Sequence, residues 1–260
     1  MIKLLKLSLI FLISGSAYAK STCSDIHGKQ GFHPLILKNG IVCFVQEPVL
    51  NSNTGVPIGE DAISLYYISN GNAPVKAMGR GLLYDDSPGK IVDSFPLATD
   101  QDNNRIAVIH SVDVRQSLVE ENSSGQFYSV SVFVIVDNNL RRDERASDWF
   151  GADYSWISNN RRVTYVFPFQ TKKDVRRAVD SSFASLMNGD KIISAKVKNK
   201  SYLFDLPSIK DETKKYLIAG DKVTVDKATA GWCQISYNGG KKAVQMWLLC
   251  SALSVDTRSN

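Results

Sequence analysis

The apolar positions of this chain repeat mostly with a period of two. In "HPLILKNGIVCFV" (33–45), β-favouring residues flank Asn39-Gly40, a pair that supplies the positive φ of a tight turn, so the stretch predicts a hairpin. Further strands are predicted over 62–69, 90–98, 105–114, 126–136 and 161–169, with turn residues between them. "RIAVIHSVDV" and "QFYSVSVFVIV" are densest in Val, Ile and aromatics and are expected as central strands of an antiparallel sheet.

The period changes to helical once. "TKKDVRRAVDSSFASLM" (171–187) opens on Thr171 with Asp174 three residues later, a capping-box arrangement. Val175, Val179, Phe183 and Leu186 then form one apolar stripe, suited to packing on a sheet. Lys172, Lys173, Arg176 and Arg177 cover the opposite side. A solvated face is the ordinary reading of such a run. Arg176 and Arg177 are also candidates for docking an acidic partner. "NGDKIISAKVKNKS" (188–201) is a turn leading into another strand, and a domain boundary is placed at about Asn199.

Cysteine usage adds a compartment. Cys23, Cys43, Cys233 and Cys250 lie two near each end, which favours the local pairs Cys23–Cys43 and Cys233–Cys250 among three possible pairings. A four-cysteine zinc site is the rival, but no CxxC spacing is present. The first 19 residues carry Lys3 and Lys6, the apolar run "LSLIFLI" and the small-residue site Ala17 to Ala19. This predicts a signal peptide cleaved after Ala19, export to the periplasm, and no membrane span in what remains. The net charge of +5 loses two with those lysines, which points to no polyanion and to no nucleic-acid partner.

The end of the chain reads as short strands. Gly220-Asp221-Lys222-Val223-Thr224-Val225 is followed by Gly231-Trp232, by Tyr237-Asn238-Gly239, and by Trp247 with Ser251-Ala252-Leu253. These positions resemble a bacterial SH3-like domain, whose pattern is G-D-x-V-x-V, then G-W-x-x-V-x-Y-N-G, then a Trp strand and S-x-L. The resemblance implies a small β-barrel over 199–255, with a tail at 256–260. The family's N-V-R first strand is "SYLFDL" here, and Met246-Trp247-Leu248 replaces its Gly-Trp-Val. The ligand groove of members that bind cell-wall peptide or glycan does not map onto this chain, so the fold is implied and the ligand is not. If Cys233 faces Cys250 across a hairpin, Ile235 meets Leu248, Ser236 meets Trp247, and Tyr237 meets Met246. Trp232 and Trp247 then stand at different heights, one plugging the barrel and the other available at its surface.

Candidate chemistry is sparse. The three histidines, His27, His33 and His110, fall in no metal-ligand spacing, and no GxSxG or phosphate-cradling loop occurs. His110, inside "AVIHSV", is expected to be structural. Asp100, Asp102 and Asn104 occupy the first three positions of a calcium-loop pattern, but its sixth is Arg105 and its twelfth Ser111, so a polar turn is expected. Asp85 and Asp86 also read as turn residues. "DERASDWFGADYSWISNN" (143–160) reads as a loop crowded with Trp149, Phe150, Tyr154 and Trp156. Core packing leads there, and any exposed part is a candidate binding hot spot.

The expected architecture is mainly β (α+β): residues 20–198 form an antiparallel β-rich domain with one amphipathic helix, followed by the SH3-like barrel. Trp149, Phe150, Tyr154, Trp156, Trp232, Trp247, Arg176 and Arg177 are the candidate binding residues, with no cofactor. The expected function is non-catalytic binding in the periplasm, best matched by an immunity protein or inhibitor that neutralises a delivered toxin. A peptidoglycan-binding accessory protein and an unrecognised hydrolase are the alternatives.

Overall fold

A computed structural model describes residues 21–70, 72–97, 104–189, 192–238 and 244–255. The expected leader at 1–19, Asp100 and Asp102, residues 239–243, and the tail at 256–260 lie outside the described residues. The described residues are mainly β, with 53% strand against 13% helix, and their sheets are antiparallel.

The first sheet runs in chain order: β1 (Lys29–Leu37), β2 (Gly40–Leu50), β3 (Pro57–Ser69) and the short β4 (Val75–Lys76). Leu37 pairs with Gly40, so the hairpin turns on Lys38-Asn39, one residue before the expected pair. Gly40 itself begins β2, pressed against the neighbouring strand. A Cβ there would lie 2.3 Å from the Ile68 carbonyl oxygen, so the position excludes any side chain. The Cys23–Cys43 disulfide, with Cα atoms 5.5 Å apart, ties the N-terminal 3-10 turn to β2.

The second sheet comprises β5 (Lys90–Pro96), β6 (Arg105–Asp113), β7 (Gln126–Val136) and β8 (Asn139–Arg142), with β9 (Ala152–Tyr154) also paired to β7. It is the middle layer of the molecule. Along β6, Ile106 and Val108 pack toward the first sheet, while Ala107 and Ile109 join the core on the other side. A strand buried on both faces has little need of polar residues, which is why β6 reads as a nearly unbroken apolar run; in β7 the alternating Ser129 and Ser131 are buried as well.

His110 sits in this layer, fully buried, with Nε2 3.1 Å from the Pro88 carbonyl oxygen and Nδ1 without a partner. Burial pushes its pKa down from 6.5 to about 4, so the folded protein holds it neutral. The unfolded chain binds this proton below pH 6.5 and the folded one does not until about pH 4. Its contribution is therefore complete above pH 6.5 and is lost as pH falls toward 4, by about 3 kcal/mol at about 1.4 kcal/mol per pH unit. An NMR titration of the folded protein is expected to show one imidazole with a midpoint near 4. All three histidines titrating near 6.5 would contradict this.

Among the described residues, three α-helices lie on the far side of the second sheet. Of these, α1 (Glu144–Phe150) falls where a loop was expected. Asp143 caps it, its carboxylate accepting from the Ala146 N–H at 3.0 Å, and the buried Ser147 hydroxyl accepts from the Val132 N–H at 2.9 Å. The single expected helix is two, α2 (Lys172–Val179) and α3 (Ala184–Asn188). Thr171 caps α2 as expected, accepting from the Asp174 N–H. The break follows from the serines after Asp180: the Ser181 hydroxyl donates to the Ala178 carbonyl at 2.6 Å, a local bond that competes with helix continuation. A two-stranded hairpin, β10 (Trp156–Asn159) and β11 (Arg162–Val166), stands beside α1.

The remaining strands are β12 (Ile193–Val197), β13 (Ser201–Phe204), β14 (Glu212–Leu217), β15 (Lys222–Thr229), β16 (Trp232–Tyr237), β17 (Val244–Leu249) and β18 (Leu253–Val255). They form one sheet in the order β14-β13-β17-β16-β15-β12-β18, and no closed barrel is found among the described residues. β12 precedes Asn199 in the chain yet pairs with both β15 and β18. The core is likewise shared: one cluster runs from Phe95 and Ala107 through Phe150 and Tyr165 to Trp232 and Leu253.

The Cys233–Cys250 disulfide forms, with Cα atoms 5.0 Å apart, but not across a directly opposed pair. Cys233 faces Leu248, Ile235 faces Met246, and Gln234 faces Trp247, two residues from the expected register. β17 ends at Leu249 and the chain enters a 3-10 turn at Cys250, whose N–H donates to the Gly231 carbonyl at 2.9 Å. That turn brings Cys250 back over Cys233. A slip of two preserves the face of every residue, so the side-chain pattern survives the wrong register.

Candidate functional site

The turn between β15 and β16 binds the terminal sheet to the body through the main chain. The Ala230 N–H donates to the Phe150 carbonyl at 3.1 Å, the Thr229 hydroxyl to the Asp148 carbonyl at 2.7 Å, and the Tyr165 hydroxyl to the Ala230 carbonyl at 2.9 Å. Gly231, at φ 81°, allows the close approach: a Cβ there would lie 2.7 Å from Pro168 Cγ. Alongside these contacts the two parts leave an open cleft of about 360 Å³.

Its walls come from four elements. Trp149, at the end of α1, stacks on Phe169 at 5.9 Å and meets Phe150 edge to face at 4.8 Å. Thr164, Tyr165 and Val166 of β11 supply a second wall, and Ala178 with Phe183 a third. Leu249, Cys250 and Gly231 close it on the side of the terminal sheet. Such a space, apolar and built on helices and strands with few polar groups, is what a bound apolar side chain requires.

The wall is backed by buried aromatics. Trp232 is fully buried and stacks against Tyr165 at 5.9 Å, with Phe204 edge-on at 4.9 Å. Burial raises the pKa of the nearby Asp153 to about 6, and burial together with Asp153 pushes the Tyr165 phenol well above its usual value, so this hydroxyl stays a donor.

The candidate binding residues separate here. Trp149, itself buried, and the exposed Arg177 line the cleft. Trp156, 39% exposed on β10, pairs across the hairpin with the cleft residue Val166, which is 55% exposed, and together they form an apolar outer lip. Phe150 and Trp232 are buried behind the walls. Tyr154 packs edge-on to Phe127 at 5.2 Å, its hydroxyl accepting from the Glu120 N–H at 3.0 Å. Trp247 is buried too, with the Lys227 ammonium 6.0 Å from its ring, so neither tryptophan of the terminal hairpin is left at the surface. Phe204 pairs beside Trp247 on the neighbouring strand, and both tryptophans belong to the shared core, so the surface ring expected there is not found. Arg176 lies over the ring of Phe95 at 5.7 Å, outside the cleft. Tyr165 and Phe169 were legible only as strand residues, because nothing local distinguishes a cleft wall from a core.

Asn104 is an exposed turn residue, and no group of three or more His, Cys, Asp or Glu among the described residues could hold a metal ion. Asp85 is a loop residue whose carboxylate pairs with the Arg115 guanidinium, which holds its pKa below the ordinary value. No helix among the described residues is long and apolar enough to cross a membrane. Comparison with protein-family models, with curated proteins and with solved structures finds no match to this chain.

Proposed function

We propose that this is an exported protein that acts by binding another protein, and that the bound partner seats an apolar side chain in the cleft between α2, β11 and the terminal sheet. The observation that carries the reading is the cleft itself, with Trp149 in its wall and exposed Trp156 and Val166 at its lip. Large aromatics on rigid elements around a concave apolar site are the residues that dominate protein–protein affinity. The form best matched is an immunity protein or inhibitor in the periplasm, acting on a toxin delivered there, after removal of the leader at residues 1–19. Two disulfides support an oxidising compartment. In this reading the terminal sheet is an SH3-like module used as a wall, its Trp232 and Trp247 serving packing.

Val166→Asp and Arg177→Glu test it, since both side chains are largely exposed and neither change should unfold the protein. Envelope proteins captured by the mature chain are identified, and the binding of a purified candidate is measured. Val166→Asp is expected to weaken binding by about 30-fold, the scale of one hot spot. A partner held equally by wild type and both variants, with unchanged circular dichroism, would place the interface elsewhere.

A second reading has one observation of its own. Tyr202 and Tyr216 pair across β13 and β14, both exposed, and the Lys200 ammonium lies 5.1 and 4.2 Å from their rings. Such a platform suits stacking on a glycan, as the peptidoglycan alternative requires. Co-sedimentation with purified peptidoglycan is expected from wild type and not from Tyr202→Ala with Tyr216→Ala. No sedimentation of the wild type removes this reading.

A further inference from the structure

Resting on the cleft reading, we infer that the segment bound there is acidic: an extended stretch of the partner with an apolar anchor and carboxylates beside it. The argument is the charge on α2. Its exposed face carries Lys172, Lys173, Arg176 and Arg177 within two turns. Among the described residues, no carboxylate lies within salt-bridge distance of Lys172, Lys173 or Arg176. Arg177 has only the neighbouring Asp174, at 3.5 Å, in an exposed pair of the kind that contributes little.

Two of these cations are held in place. The Lys172 ammonium lies 5.0 Å and the Arg176 guanidinium 5.7 Å from the ring of the buried Phe95. Ordering them in the free protein lowers the entropic cost of pairing them with a partner's carboxylates. A shallow concavity over Lys172, Lys173, Arg176 and Asp180 meets the apolar cleft at Arg177 and Ser181, which border both. One surface therefore passes from an apolar pocket to a basic strip within the length of a short peptide. A flat anionic bilayer would meet the strip but could not fill the cleft. A peptide with one bulky apolar residue between acidic ones satisfies both.

Three fluorescein-labelled peptides of equal length test this: a phenylalanine flanked by glutamates, by serines or by lysines, titrated with the mature protein by anisotropy. The acidic peptide is expected to bind tightest and to weaken as salt rises from about 50 to about 500 mM, as the Debye length falls from over 10 Å to about 4 Å. Lys173→Glu with Arg176→Glu, both outside the cleft lining, is expected to weaken the acidic peptide about tenfold or more and leave the serine peptide unchanged. Val166→Asp is expected to weaken both. Equal binding of the acidic and serine peptides would overturn the acidic assignment while leaving the cleft reading in place. No binding of any peptide, with phosphatidylglycerol vesicles bound in a manner that Lys173→Glu and Arg176→Glu abolish, would overturn it in favour of a membrane surface. No binding of either peptides or vesicles would overturn it outright.

Discussion

Trp232→Ala is expected to cost about 4 kcal/mol and to weaken the whole molecule, not the terminal sheet alone. Truncating a buried large aromatic removes its transfer free energy and leaves a cavity, together about 3–5 kcal/mol. Here the indole is fully buried between Tyr165 of β11 and Phe204 of β13, so the cavity opens between body and terminal sheet. The surrounding cluster continues to Phe95 and Ala107 in the middle sheet. A core shared in this way should unfold in one transition. Urea denaturation followed by far-ultraviolet circular dichroism and by near-ultraviolet signals checks both points. Two separated transitions in the wild type, or a loss below about 1 kcal/mol, would show that the terminal sheet stands alone.

Removing the Cys233–Cys250 disulfide is the second large effect. The crosslink spans 17 residues, and a loop of that length is worth about 3 kcal/mol when the constraint on the unfolded chain is released. Cys233→Ala together with Cys250→Ala is the cleaner variant, because a single serine would leave a hydroxyl in the fully buried position of Cys233. Its denaturation midpoint is expected to fall, and reductant should lower the wild type in the same direction without affecting the variant at this site. Equal wild-type midpoints with and without reductant would show that neither disulfide adds to stability. Cys250 also lines the cleft, so the same variant is expected to loosen one wall of the binding surface.

Much of the local structure could be read from residues. The strands of the middle sheet, the Thr171 cap and the two cysteine pairs were all legible, because each depends on a short-range pattern: alternation, a side chain reaching three residues on, or proximity in the chain. α1 was not legible. Its seven residues are too few for a helical period to stand out, and Ser147 is held by the main chain of β7. The candidate site was legible in part. Trp149, Trp156 and Arg177 were singled out by type and lie at the cleft, Trp149 buried in its wall, yet the same reasoning selected Trp247 and Phe150, which are buried away from it.

What the sequence by itself determined is the alternation of the strands and the face each side chain takes; among three cysteine pairings it favoured the one that forms. These survive even a two-residue error in register, since pleating has a period of two. Only the tertiary structure decided which aromatics are core and which are surface, because burial depends on what packs from the other side. Trp156 and Trp247 are alike as residues; one lies on a two-stranded hairpin with an open face, and the other on a sheet whose neighbour strand carries Phe204 against it. The cleft is of the same kind. Its walls come from α1, β11, the α2–α3 segment and the terminal sheet, and they become one surface only when the chain closes on itself.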